Sequence, residues 1–194
     1  ELEPGWDPSA RSLTSYKNIY QVASRLRGMD GMVARIAAEI AGHVRELTVK
    51  ERALQREITV RVETLAPTLL ALVGVGALTA AKIVAEVADI RRFKSKDAFA
   101  RHNGTAPLPV WSGNRERHRL SRTGNRQLNA AIHRIVITQA RCQPDAIAYL
   151  HRRRELGNTA TEARRALKRR LSDIVYRALL ADATATTVRL DEAA

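Results

Sequence analysis

Cysteine occurs once in the 194 residues, at Cys142, so the chain can form neither an internal disulfide nor a multi-cysteine zinc site. Long apolar runs are missing as well: none approaches the roughly 18 residues of a membrane span, which excludes a spanning helix. Aromatic residues make up 4%, and Gly and Pro contribute only 10 and 6 residues, too few for a collagen-like or low-complexity chain. The five histidines, His43, His102, His118, His133 and His151, have no close metal-ligand spacing. His-Glu-x-x-His, Cys-x-x-Cys and a Gly-Lys-Ser/Thr phosphate loop are all absent. Acidic side chains are in deficit, 20 against 33 Lys and Arg, giving a formal charge of +13 and a pI near 10.9. With 45% hydrophobic residues the chain can bury a core, and its excess of cations points to a polyanionic partner. The length suits one domain plus an extension, or two small domains. The opening Glu1 is followed by no signal-peptide pattern, so the expectation is a fragment of a longer cytosolic chain.

The charge is unevenly placed. Residues 1–66 are nearly neutral, residues 67–180 hold 22 basic and 8 acidic side chains, and residues 181–194 are net acidic. Such asymmetry favours a binding surface confined to one domain. After a turn-rich opening with Pro4 and Pro8, no proline appears until Pro67. Between them Met29, Val33, Ile36, Ile40, Val44, Leu47, Leu54, Ile58, Val62 and Leu65 recur at helical or coiled-coil spacing. This stripe needs a partner, either the arm's own domain or a second copy, and Gly28, Gly31 and Gly42 are the places where the rod could break. From Pro67 the pattern predicts short helices at about 67–73, 77–88, 95–101, 124–141, 144–155 and 159–181. The expectation is therefore a mainly all-α chain: a linker over 1–16, a helical arm over 17–66, a compact helical domain over 67–181 and a flexible tail over 182–194.

Three features carry candidate chemistry. Leu72-Val73-Gly74-Val75-Gly76-Ala77-Leu78-Thr79-Ala80-Ala81-Lys82 has helix-hairpin-helix spacing. Gly74 and Gly76 would let the turn approach a phosphate, the next helix would offer its unpaired N–H groups, and Thr79 and Lys82 lie nearby. A tight αα-hairpin that needs glycine only for its φ angles is the other reading. Next comes the stretch from Ser112 to Arg126, which lacks helical periodicity and holds Arg115, Arg117, Arg119, Arg122 and Arg126 against a single acid. Guanidinium forks match phosphate oxygens, so a hydroxyl among them could attack a phosphodiester, while a solvated basic loop that merely positions nucleic acid stays open. Third, Lys168-Arg169-Arg170 lies on a helix whose Ala-rich stripe reads as core rather than membrane-seeking. Glu86, Asp89 and Asp97 have the spacing of ordinary caps and ion pairs as much as of metal ligands.

Taken together, Gly-Val-Gly-x-x-Thr-Ala at the hairpin, Gly104-Thr105-Ala106-Pro107, Ser112-Gly113, His118-Arg119-Leu120-Ser121-Arg122-Thr123-Gly124-Asn125-Arg126-Gln127-Leu128-Asn129 and Ala166-Leu167-Lys168-Arg169-Arg170-Leu171-Ser172-Asp173 resemble the C-terminal half of the insertion-sequence 110/116/902 family of bacterial transposases. The preceding arm is similar to that family's coiled coil. The resemblance implies a DNA transposase whose serine nucleophile, here Ser112, carries out RNA-guided strand exchange, and it implies homo-oligomers assembled through residues 17–66. Gly74, Gly76, Thr79, Lys82, Arg115, Arg117, Arg119, Arg122, Asn125, Arg126, Lys168, Arg169 and Arg170 are the residues expected at DNA or at a structured guide RNA. Magnesium would belong to a RuvC-like acidic domain, which nothing in residues 1–66 resembles, so this chain alone is expected to bind no cofactor and to be incomplete as an enzyme. The implied location is the bacterial cytoplasm, at the nucleoid, with no membrane partner.

Overall fold

The computed structural model describes residues 15–112, 115–119 and 123–191. The chain divides between Glu57 and Ile58 into two compact units. That division lies inside a helix rather than at Pro67, where the change in charge had suggested it.

In the first unit, α1 (Tyr16–Arg27) is followed by the start of α2 (Met32–Leu65). The break comes where two of the glycines lie: Gly28 caps α1 by donating to the Arg25 carbonyl, and Gly31 adopts φ +107°, whereas Gly42 sits within an unbroken helix. Tyr20 lies under the Arg45 guanidinium at 6.0 Å and Tyr16 under that of Arg52 at 5.4 Å, an inverted order that makes the two helices antiparallel. Helix α1 buries Ile19, Ala23 and Leu26, and Ala34 of α2 is fully buried. Along this side α2 presents Ala37, Ala38, Ala41 and Gly42, all half-buried. Its bulky aliphatics lie elsewhere: Val33, Ile36, Ile40, Val44, Leu47 and Leu54 are each at least 41% exposed.

The second unit contains the end of α2, then α3 (Pro67–Leu70), α4 (Ala77–Val87), a 3-10 turn (Ile90–Arg92), α5 (Lys96–His102), β1 (Leu108–Ser112), β2 (Arg115–Arg119), α6 (Arg126–Cys142), α7 (Pro144–Glu155) and α8 (Ala160–Asp191). Local chemistry sets most of these boundaries. Pro67 and Pro144 open α3 and α7, where a missing N–H costs nothing, and the Ser95 hydroxyl accepts from Ala98 N at 3.2 Å to cap α5. Thr159 and Glu162 form a reciprocal capping box ahead of α8. Helix α8 is the axis of this unit, packing against α3, α5, α6 and α7. Its Leu167, Leu171, Val175 and Leu179 meet Leu69, Ile83, Phe99, Leu128, Ile132 and Ile135 in one core. Both phenylalanines lie there: Phe99 makes an edge contact with Phe93 at 5.3 Å and a tilted one with Tyr176 at 5.8 Å. Among the described residues no helix is long and apolar enough to cross a membrane.

The chain is mainly α-helical, as expected, with three departures in detail. First, the basic stretch expected as a loop contains an antiparallel hairpin, β1 paired with β2. Second, α3 is one turn long rather than reaching residue 73. Third, the tail expected from residue 182 is the end of α8. Asp182 is only 3% exposed, and its carboxylate oxygens accept from Thr68 N at 2.9 Å and Leu69 N at 3.1 Å, capping α3 across the fold. The two unpaired amides of α3 and a buried carboxylate satisfy each other, so this part of α8 has a reason to stay folded.

Candidate nucleic-acid interface

The β-hairpin rises from a root in which nearly every polar group is paired. Asn103, fully buried at the end of α5, donates through Nδ2 to Ser172 Oγ at 2.7 Å, and its Oδ1 accepts from Thr105 N at 3.0 Å. Its carbonyl accepts from Asn129 Nδ2 at 2.7 Å, and Asn129 Oδ1 in turn accepts from Lys168 Nζ at 2.8 Å. One chain of hydrogen bonds thus joins α5, α6 and α8 beneath the point where the strand leaves. The Thr105 hydroxyl is the exception, a buried group with no partner among the described residues.

The returning strand is fastened to the same place. Gly124 has φ +107°, and a Cβ there would lie 2.6 Å from the His102 carbonyl oxygen and 3.0 Å from Gly104 N, so only glycine fits. Asn125 N then donates to the His102 carbonyl at 2.7 Å. Its side chain caps α6, accepting from Leu128 N at 2.9 Å, while Nδ2 donates to Glu86 Oε2 at 2.6 Å. His102 itself packs at a tilt against Phe93, its Nε2 lies 3.3 Å from Arg92 Nη2, and burial, with the Arg92 charge second, holds its pKa below the ordinary histidine value.

On this base the strand register sets Ser112 directly across from Arg115, Val110 from Arg117 and Leu108 from Arg119. Three of the expected cations therefore share one strand facing the strand that ends in Ser112. Arg122 and Ser121 lie outside the described residues, as does Gly113. Arg126 is exposed and opens α6, the end of a helix that disfavours a cation.

The glycine turn before α4 separates into two roles. Gly74 has φ +85°, and a Cβ would lie 3.1 Å from Thr138 Cβ and 3.3 Å from the Ile135 carbonyl, so the residue is needed for packing on α6. Gln139 Nε2 holds the same turn by donating to the Val73 carbonyl at 2.7 Å. Gly76, by contrast, has open space where a Cβ would be and caps α4 with no side-chain hydrogen bond. Thr79 and Lys82 follow it, both half-buried.

The Lys168-Arg169-Arg170 run also divides. Lys168 turns inward to Asn129, and burial, then the Arg165 charge, lowers its pKa. Arg169 bridges Asp173 and Asp97, tying α8 to α5. Only Arg170 faces outward, over the Tyr149 ring. Of the expected contacts, then, Asn125, Lys168 and Arg169 are engaged within the fold. The three carboxylates considered as ligands are likewise occupied, Glu86 by Asn125, Asp89 by Arg91 and Asp97 by Arg169. Among the described residues no group of three or more His, Cys, Asp or Glu side chains could hold a metal ion.

Asn129 and Ser172 stand inside the sequence motifs with no role assigned to them, and Asn103 stands just before one. The paired dipeptides Asn103-Gly104 and Gly124-Asn125, one on each side of the hairpin, were the available signal. Residues 66–151 match the profile described as Transposase IS116/IS110/IS902 family. Over these residues the chain is similar to that transposase family. The matched segment runs from the start of α3 through the hairpin into α7, and α8 beyond it supplies Lys168 and Ser172 to the hairpin root. A Streptomyces coelicolor relative, the insertion element IS110 uncharacterized 43.6 kDa protein, is 29% identical over 157 residues, a span covering 79% of this chain. The same span is 38% of that protein's length.

Proposed function

We propose that this chain is the DNA-handling part of an insertion-sequence transposase and that Ser112 is its nucleophile. In the proposed step a new bond forms between Ser112 Oγ and a backbone phosphorus, and the bond from that phosphorus to one deoxyribose oxygen breaks. The serine proton is lost, and the released sugar oxygen takes one up. Attack by the sugar hydroxyl of another strand then reverses the process, restoring serine and rejoining DNA without ATP, because the phosphoester link conserves the bond. Neighbouring guanidiniums would offset the charge of the pentavalent phosphorus.

The observation that carries this reading is the register of the hairpin, which sets Ser112 opposite Arg115 on a base fixed by Asn103, Gly124 and Asn125. Catalytic groups need a rigid support of this kind to hold a near-attack geometry. A structured guide RNA and oligomers formed through the α2 face belong to the same proposal, supported by the family match and by the aliphatic stripe. Magnesium is assigned to acidic residues of another domain, since the described carboxylates here do not fit it.

The test supplies an acidic metal-binding domain in an intact transposase carrying these residues, with donor DNA, guide RNA and magnesium. Ser112→Ala and Ser121→Ala variants are compared for a covalent protein–DNA species, after DNA binding by each has been verified. Loss in the first variant alone supports the proposal. An adduct that survives Ser112→Ala moves the nucleophile elsewhere, and an active enzyme that never forms one favours direct attack by water or a strand end. The chain of 194 residues by itself should bind DNA without cutting it.

A further inference from the structure

Two guanidiniums converge on one ring on the outer side of α7 and α8. Arg152, one turn after Tyr149 on α7, lies 5.7 Å from the centre of its ring, and Arg170 reaches the same ring from α8 at 5.4 Å. Both arginines are exposed, and Tyr149 is half-buried against the core. Neither arginine has a carboxylate within ion-pair distance among the described residues, although their neighbour Arg169 has two.

That contrast matters physically. Gathering like charges around one aromatic ring is unfavourable in itself, and the ring's negative π-density offsets only part of it. A guanidinium placed over a ring can still donate its N–H groups to phosphate oxygens. The pair is thus held in place by Tyr149, lacks a counter-ion and keeps its donors available. These are the properties of a phosphate clamp.

We infer that Arg152, Tyr149 and Arg170 form a second contact for the phosphodiester backbone of duplex DNA, away from the Ser112 hairpin in sequence and in its elements. The inference rests on the DNA-handling role proposed above. A duplex rather than a single strand fits because unpaired bases are captured on open aromatic faces, and the Tyr149 ring is half-buried against the core with two guanidiniums beside it. Contacts to the phosphodiester backbone set position and affinity rather than sequence preference.

The experiment titrates the full chain with a short mixed-sequence duplex over a series of salt concentrations, and repeats it with a single-stranded RNA of equal length. The wild type should show a steep log–log slope, and Arg152→Gln with Arg170→Gln should make it shallower by roughly two, about one per lost phosphate contact. Affinity should fall alike for unrelated sequences, while the melting temperature stays near that of the wild type. The Lys-for-Arg pair should recover most of the slope, a rescue that a purely structural stacking role would not give. Steep wild-type binding with an unchanged slope in the Gln variant overturns the clamp and leaves the DNA-handling reading standing. A slope change seen only with the RNA overturns the assignment to duplex, and salt-insensitive binding by the wild type overturns both.

Discussion

The α-carbon of Gly124 sits so close to the carbonyl of His102 that a methyl group placed on it would come within 2.6 Å of that oxygen. This contact, with the adjacent bond from Asn125 N to the same carbonyl at 2.7 Å, fastens the return of the β-hairpin to the end of α5. The outgoing strand is fastened to the same helix end through Asn103, so both feet of the hairpin that carries Ser112 stand on one buried junction.

Gly124→Ala should therefore destabilise the fold by about 1–3 kcal/mol, since it combines a positive φ with a backbone clash. Gly76→Ala, at a position with open space and φ −91°, should cost less than about 1 kcal/mol as a slightly poorer helix cap. Urea denaturation of the two variants separates them. Equal losses would mean that the hairpin root is looser than the geometry indicates.

Asp182 gives a second test. Its carboxylate caps α3 from 113 residues away in sequence, so Asp182→Ala should cost about 1–2 kcal/mol and speed amide exchange at Thr68 and Leu69. Removal of residues 182–194 should do the same. A truncated chain as stable as the full one would return this segment to the status of a tail.

Stability should also fall on mild acidification. Burial and neighbouring cations lower the folded-state pKa of both His102 and His133, the latter beside Lys168 and Arg164. The unfolded chain therefore takes up these protons first, near the ordinary value of about 6.5. The stability these neutral imidazoles contribute is present above that pH and is lost as pH falls through their lowered folded values. Melting temperatures at pH 7.5 and 5.5 should differ less for the His102→Gln, His133→Gln double variant than for the wild type. An identical difference would assign the acid sensitivity to other groups.

Association through α2 is expected because α1 covers the small-residue side of that helix and leaves Ile36, Ile40, Val44 and Leu47 open. Light scattering at tens of micromolar should report at least a dimer, and Ile40→Lys with Leu47→Lys should give a monomer. A monomeric wild type at that concentration contradicts the assignment.

Much of the helical frame was legible because its signals are local. Pro67, Pro144 and Asn125 act within a turn of where they stand, and the apolar spacing of Leu128, Ile132, Ile135 and Val136 marks α6 without outside help. The hairpin was not legible: Arg115-Glu116-Arg117-His118-Arg119 shows no apolar alternation, and its strand character comes from pairing with Leu108–Ser112. Asp182 looked like the start of a solvated tail because its partners, Thr68 and Leu69, are remote in sequence. The same distance hid the Asn103–Ser172 bond, and nothing in Lys168-Arg169-Arg170 announced that only the last of the three would face outward.

The central claim, that Ser112 forms the bond to DNA, is tested most directly by locating the adduct. Intact transposase carrying these residues is trapped on donor DNA, digested with nuclease and trypsin, and its peptides are weighed by mass spectrometry. Cleavage after arginine places Ser112 in the peptide His102–Arg115 and Ser121 in Leu120–Arg122. A residual phosphonucleotide is expected on His102–Arg115, at Ser112 and not at Thr105, and none on the shorter peptide. Its appearance on Leu120–Arg122, or on any peptide outside the hairpin, would contradict the assignment.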